Sequence, residues 1–226
     1  DCAGTVNGSA TEDNCGVCGG DNSSCGTITD IDGNTYETIQ IGDQIWMAEN
    51  LSVAHYSNGD VIPYGFGNTE WSTLAIGALS EYNSNIHYNW HAVNDERGLC
   101  PEGYRIASDD DFTELSIYAC MEYSEIGDCE IYFQEDLFGW RGTTVGVALK
   151  DATMDGTNIT GFSAIIAGWR NQDGNSTGET TTAIYWTSDA MSSESGIYRQ
   201  LEYSRVDIGR NPHPNNAGFS VRCIKD

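Results

Sequence analysis

Basic residues are scarce in this chain, and none precedes Arg97. Ten Lys and Arg stand against 34 Asp and Glu, a formal charge of −24, and fourteen of the acids come before that first arginine. A surface so acidic repels phosphate backbones and anionic headgroups, which argues against nucleic acids and acidic membranes as partners. Divalent cations, cationic surfaces and neutral glycans stay open. Long apolar runs are also missing. None approaches the roughly 18 residues that a membrane helix needs, so membrane insertion is not expected. No basic n-region leads into an apolar h-region at the start, so a signal peptide is expected to have been removed or to lie outside this sequence.

Catalytic signatures are equally sparse. There is no G-x-S-x-G elbow, no H-E-x-x-H helix, no phosphate-binding glycine loop and no Walker-type lysine. None of the four histidines has a legible Ser or Cys nucleophile near it in sequence. Carboxylates are so many that a glycosidase-like pair means nothing without geometry. The expectation is a protein that is not an enzyme. His87 and His91 stand four apart, a spacing that faces both rings the same way on a strand or a helix. Interleaved Tyr88 and Trp90, with no third ligand nearby, favour a packed aromatic segment over a metal pair.

Cysteine, by contrast, is plentiful: eight in all, half of them within the first 25 residues. No Cys/His quartet for zinc is completed, so a disulfide protein of an extracellular or cell-surface compartment is the better reading. Residues 1–26 lack any bulky hydrophobe and cannot build a core, so they form a separate cysteine-rich unit ahead of a domain at 27–226. Cys2, Cys15, Cys18 and Cys25 supply two bridges there, in one of three pairings. Glu12, Asp13, Asp21 and Asn22 put hard oxygen ligands among the glycines, making calcium the candidate cofactor. A solvated disulfide knot without metal is the alternative, because the D-x-D-x-D-G ladder of a dedicated calcium loop is missing. Cys120 and Cys129 are close enough to pair locally, a short loop worth about 3 kcal/mol in the chain-entropy model. Cys100 and Cys223 remain, and their bridge would close a long loop worth roughly 5 kcal/mol.

From Thr27 the texture changes to β-branched and polar alternation with tight turns at Asp32-Gly33-Asn34 and Gly42-Asp43, and Ile45, Trp46 and Met47 are expected inside. Thr69 to Leu74 reads as a helix start. Ser108 followed by Asp109, Asp110 and Asp111 places an N-cap and acidic first-turn residues at the head of a helix over 108–123. From Gly139 onward, short aromatic strands alternate with glycine turns. Arg141, Arg170, Arg199 and Arg222 sit beside aromatics, where cation–π stacking or buried carboxylate pairing is the default role. Sequons mark Asn7, Asn22, Asn50, Asn158 and Asn175.

The first 26 residues resemble the DC-x-G…D-x-CG-x-CGGDN-x-x-C repeats of long extracellular bacterial proteins, and CGVCGGDNSSC is similar to the ancillary cysteine-rich region of secreted ADAMTS-type metalloproteases. Five later blocks, ITDIDGNTYETIQIGDQIWMAENL, YNWHAVNDERGLCPEGYRIASDDDFTEL, GWRNQDG, YWTSDA and GFSVRCIKD, resemble the Fibrobacter succinogenes major paralogous domain in order from about Thr27 to Asp226. That resemblance implies an α+β, C-type-lectin-like fold with small twisted sheets, about two helices and a long loop region, behind the small disulfide-rich appendage. It also implies a secreted or surface-attached module. The sugar-ligating EPN or QPD and WND motifs of calcium-dependent lectins are absent. Formylglycine-generating enzymes need a pair of reactive or copper-binding cysteines, whereas every cysteine here is expected to have a disulfide partner.

The function expected on these grounds is noncatalytic binding or adhesion to an extracellular glycan or protein through loops between Gly139 and Pro214. Trp140, Trp169, Asn171, Asp173, Tyr185 and Asn211 are the candidate contacts, although each aromatic is also a core candidate. The alternative is a structural subunit of an extracellular filament or surface layer, with residues 1–26 docking on another copy of the chain.

Overall fold

A computed structural model describes residues 4–5, 8–9, 18, 26–123, 129, 133, 137–178 and 181–226. The alternating stretch after Gly26 forms β1 (Thr27–Thr29), β2 (Thr35–Ile41) and β3 (Gln44–Met47). Asp30 builds the first turn: Oδ1 accepts the backbone N–H groups of Asp32 and Asn34 at 2.9 Å each, and Oδ2 accepts the Tyr36 hydroxyl at 2.6 Å. This is Asx-turn chemistry. Gly42, with φ +62°, opens the second turn. Trp46 and Met47 are buried and Ile45 is half-buried, as a strand with two unequal faces requires.

The last strand closes this sheet. β14 (Cys223–Lys225) lies between β3 and β6 (Tyr104–Ile106), giving the order β1-β2-β3-β14-β6. The Cys100–Cys223 disulfide, with Cα atoms 5.9 Å apart, fastens that closure, and Cys120–Cys129 ties the end of the long helix. Cys120–Cys129 is the pairing expected from spacing, and Cys100–Cys223 the one expected of the two cysteines that remained. A second sheet runs β10 (Thr182–Ser192), β11 (Ser195–Glu202), β12 (Ile208–Pro214), β7 (Gly139–Arg141), all antiparallel. A third runs β4 (Leu79–Tyr82), β5 (Asn85–Asn89), β13 (Gly218–Phe219), β8 (Trp169–Arg170), β9 (Ser176–Thr177). Asn83 and Ser84, both at positive φ, join β4 to β5.

Helices are few among the described residues. α1 (Asn68–Trp71), α2 (Trp90–Val93) and α4 (Val145–Leu149) are one turn or little more, and a single 3₁₀ turn covers Ala152–Met154. Only α3 (Asp109–Tyr123) is long. The expected α+β, C-type-lectin-like domain is therefore corrected: the described residues form fourteen strands in three sheets, a mostly-β architecture. The reason is local. Aromatic and β-branched runs bounded by glycine turns take up most of the chain and leave one uninterrupted segment for several helical turns.

Two cores flank the second sheet. On one face Ile184 and Trp186 join Tyr36, Tyr88, Trp90, Leu99, Val221 and Phe219. On the other, Tyr185 and Leu201 join Trp46, Phe112, Leu115, Phe162 and Ile224. Trp46 meets Phe112 and Phe162 edge-on, with ring centroids 5.1 and 5.5 Å away, a favoured arrangement for ring quadrupoles.

Five of the ten basic residues are buried: Lys150, Arg170, Arg199, Arg210 and Arg222. Arg222 is fully enclosed and donates to Asn50 Oδ1 and the carbonyls of Met47, Phe162 and Ser163. The Asn50 amide is thereby committed inside the fold. Lys150 Nζ donates to the carbonyls of Glu202, Tyr203 and Arg205 at 3.0, 3.2 and 2.7 Å. Arg199 and Arg210 converge on the buried carboxylate of Asp109 from β11 and β12, and so fasten the head of α3 to the sheet. Ser108 caps that helix as its sequence predicts. Its Oγ accepts the Asp111 N–H at 3.1 Å, and Asp111 Oδ2 accepts the Ser108 N–H at 2.6 Å.

Cys18 is disulfide-bonded. The candidate calcium ligands Glu12, Asp13, Asp21 and Asn22, with Cys2, Cys15 and Cys25, lie outside the described residues.

Candidate functional site

Strand register decides which side chains share a face. On β12 the residues Gly209, Asn211 and His213 alternate onto one face, opposite Gln200, Tyr198 and Gly196 of β11. Trp140 on β7 pairs with Gly209, and its indole lies flat over that glycine: a Cβ there would sit 3.4 Å from three ring atoms. Arg205 covers the same indole, with its guanidinium carbon 4.2 Å from the ring centroid. Arg205 is itself held by a fork of hydrogen bonds to Asp207 at 2.8 and 2.7 Å. Trp140 therefore offers an edge, and its broad face is spent on packing.

Further along the face the third sheet arrives. Trp169 on β8 meets His213 at 5.4 Å between ring centroids and Phe219 at 5.5 Å, while Tyr198 lies 5.9 Å from His213 and 5.2 Å from Phe219. Phe219 is buried, whereas Trp169, Tyr198, His213, Gln200 and Asn211 are all half-buried. They form the rim where one core meets solvent. The Asn211 side chain hydrogen-bonds the Tyr198 hydroxyl; burial, the larger effect, raises the phenol's pKa and this bond lowers it. Gln200 Nε2 donates to Glu202 Oε1 at 2.7 Å. Burial holds the His213 pKa below the ordinary histidine value, with the Pro214 backbone opposing only in part, and its Nδ1 is enclosed. Aromatic edges, two amides and a neutral imidazole thus share a face fixed by β-strands, an arrangement suited to hydrogen-bonding and packing against a polar ligand.

The sequence-predicted contacts divide. Trp140, Trp169 and Asn211 come together on this face. Tyr185 does not: it is 1% exposed in the second core, beside Phe112 and Phe162. Consecutive strand residues point to opposite faces, and both faces of β10 are covered, so Tyr185 and Trp186 are equally buried. Asn171 and Asp173 lie elsewhere, on the turn between β8 and β9. Asn171 Oδ1 accepts the N–H groups of Asp173 and Asn175 at 3.0 and 2.9 Å, which commits it to the turn, and Asp173 is exposed at the tip. Tyr198, Gln200 and His213 were missed by sequence reasoning. The alternation of half-buried Tyr198, Gln200 and Glu202 with buried Ile197, Arg199 and Leu201 was the available signal.

Histidine spacing does not make a metal site here. His87 ends on β5 with Nε2 3.1 Å from Ala167 O, whereas His91 is on α2. Among the described residues no group of three His, Cys, Asp or Glu side chains is placed to hold a metal ion. No helix among them is long and apolar enough to cross a membrane. A groove of about 760 Å³ lies where the two outer strands of the first sheet approach each other. Thr29 and Ile31 line it beside β1, and Tyr104 and Arg105 line it on β6.

Residues 39–225 match the family model of the Fibrobacter succinogenes major domain. No curated protein and no solved structure matches the chain.

Proposed function

Because the chain belongs to the Fibrobacter succinogenes major domain family, and because its rim of half-buried aromatics and amides is carried on strands, we propose that it is a noncatalytic extracellular module that binds a glycan or protein through that rim. The observation that carries this reading is the convergence of Asn211, Gln200, Tyr198, His213 and Trp169 on one face. Amides bond hydroxyl or peptide groups, and ring edges and faces pack against C–H surfaces. A net charge of −24 favours neutral or cationic ligands there. Two disulfides and the family's resemblance to secreted modules support an extracellular setting.

The test is a glycan and surface-protein array, followed by titration of any hit against the double variant Asn211→Ala/Gln200→Ala. Losing two amide contacts should weaken binding about tenfold or more, roughly 1.4 kcal/mol, while the melting temperature stays within a few degrees. A blank array with folded protein, or unaltered affinity in the variant, rejects the reading.

A second reading has its own observation. The edge strands β1 and β6 both border the groove of about 760 Å³, and exposed strand edges accept further strands. Docking of another copy there would make the chain a subunit of a surface layer or filament. Light scattering with and without a calcium chelator tests it; a strictly monomeric, chelator-insensitive protein excludes it.

A further inference from the structure

Arg170 stands apart from the other buried cations. Arg199 and Arg210 share Asp109, and Lys150 and Arg222 are surrounded by carbonyl and amide acceptors. Arg170 is 8% exposed, and no carboxylate among the described residues offsets its charge. Nε donates to Gly174 O at 2.9 Å, and Nη2 reaches Phe66 O at 2.8 Å and Asn68 Oδ1 at 3.5 Å. The Trp71 ring supports the guanidinium plane, with its centroid 4.2 Å away. A guanidinium has five N–H donors, so these contacts leave both donors of Nη1 without an acceptor among the described residues. Uncompensated burial pulls the Arg170 pKa below the usual arginine range.

The guanidinium borders a cavity of about 460 Å³, whose other polar walls are Asn68, Ser80, Glu81, Asn175 and Ser176. The Ser80 hydroxyl is buried with no hydrogen-bond partner among the described residues. Asn68 Nδ2 donates to Asn175 Oδ1 at 2.8 Å, which sets the two amides side by side. The wall is preformed. Gly174, at φ +84°, comes so near the Asn68 backbone that a Cβ would fall 2.5 Å from its Cα, and Asn171 Oδ1 clamps the turn that carries it. Trp169 and Arg170 are consecutive on β8, so this cavity and the aromatic–amide rim lie on opposite faces of that strand.

We propose that this cavity is a separate binding site for a carboxylate group on a small polar ligand, with a hexuronic acid as the favoured source and a peptide C-terminus as the other. A carboxylate gives Nη1 its missing acceptor and the buried cation its missing counter-charge. Hydroxyl and amide walls match a sugar ring better than an apolar side chain. Glu81, the single acid of the lining, accepts ligand hydroxyls and disfavours doubly charged phosphate or sulfate.

The experiment is a two-dimensional amide NMR titration of the full chain with sodium glucuronate, N-acetylglycine and the neutral control methyl glucoside. Saturable shifts are expected at Asn68, Ser80, Arg170 and Asn175 with glucuronate, at millimolar affinity, and none with methyl glucoside. Saturation by N-acetylglycine in place of glucuronate keeps the carboxylate site but overturns the sugar as its source. Arg170→Gln should weaken glucuronate at least tenfold. Ser80→Ala, which breaks no bond within the fold, should weaken it severalfold at unchanged melting temperature. No saturable shift with either acid up to about 50 mM, or shifts that map elsewhere on the unmodified chain, overturns the site.

Discussion

His87 shows how one enclosed side chain sets a pH limit on the whole protein. It is completely buried, and burial lowers its pKa from 6.5 to about 4, with the bond to Ala167 O opposing only in part. The folded state therefore holds it neutral while the unfolded chain takes up a proton below about pH 6.5. Stability is full above that value and is lost progressively as pH falls toward 4, by about 3 kcal/mol from this residue alone. Burial shifts His91 and His213 in the same direction, so they add smaller losses of the same sign. Urea unfolding at a series of pH values, in the parent chain and in His87→Gln, checks this. The variant should lose most of the slope between pH 6.5 and 4, and an unchanged slope would count against the assignment. At this same scale the six candidate contacts were legible only in part. Tyr185 lies in a run of six buried residues, Thr182 to Thr187, where a sheet covered on both faces erases the alternation that separates inside from outside.

At the scale of elements, α3 is held at its head by two devices of unequal strength. The Ser108 hydroxyl satisfies the Asp111 N–H of the first turn, so Ser108→Ala should cost about 1 kcal/mol. Asp111, its partner in the cap, feels burial pushing its carboxyl pKa up, but the Arg105 fork and the Ser108 donors outweigh that and hold it below the usual range. Asp109 is the heavier anchor. Asp109→Asn removes the shared counter-charge of Arg199 and Arg210 and should cost about 3–5 kcal/mol, the typical result of stranding buried ions. Chemical denaturation of the two variants should reproduce that ordering, and a smaller loss for Asp109→Asn would show that the cluster is not the anchor. The cap, the Asp30 turn and the two disulfides were legible because each is fixed by residues close in sequence or by the arithmetic of a few cysteines. The sheets were not. Trp169–Arg170, Ser176–Thr177 and Gly218–Phe219 are two-residue strands, too short to show a period, and their partners are set by distant packing. The Arg170 cavity was illegible for the same reason. Asn68, Ser80 and Arg170 meet only once β4, α1 and β8 are in place.

For the molecule as a whole, the decisive link joins Cys100 to the final strand. Replacing both Cys100 and Cys223 by Ala should lower stability by about 2–5 kcal/mol, measured by calorimetry against the parent, since the bridge spans 123 positions and restricts the unfolded chain accordingly. A loss under about 1 kcal/mol would mean that sheet pairing alone holds β14. Burial of half the cations also makes the exterior more anionic than the composition suggests, which deepens the bias toward neutral and cationic partners everywhere outside the Arg170 cavity. The bridge has a further meaning for a protein under tension. When a fold is drawn out by its two ends, a covalent link carries the load straight across, and everything inside the loop stays slack. At about 3.4 Å per residue, the 123 positions between the two cysteines withhold about 40 nm of extension. Under a steady pull, then, the segment ahead of Cys100 pays out while the rings of the aromatic–amide rim and the Arg170 strand sit inside the bypassed loop, carrying no force.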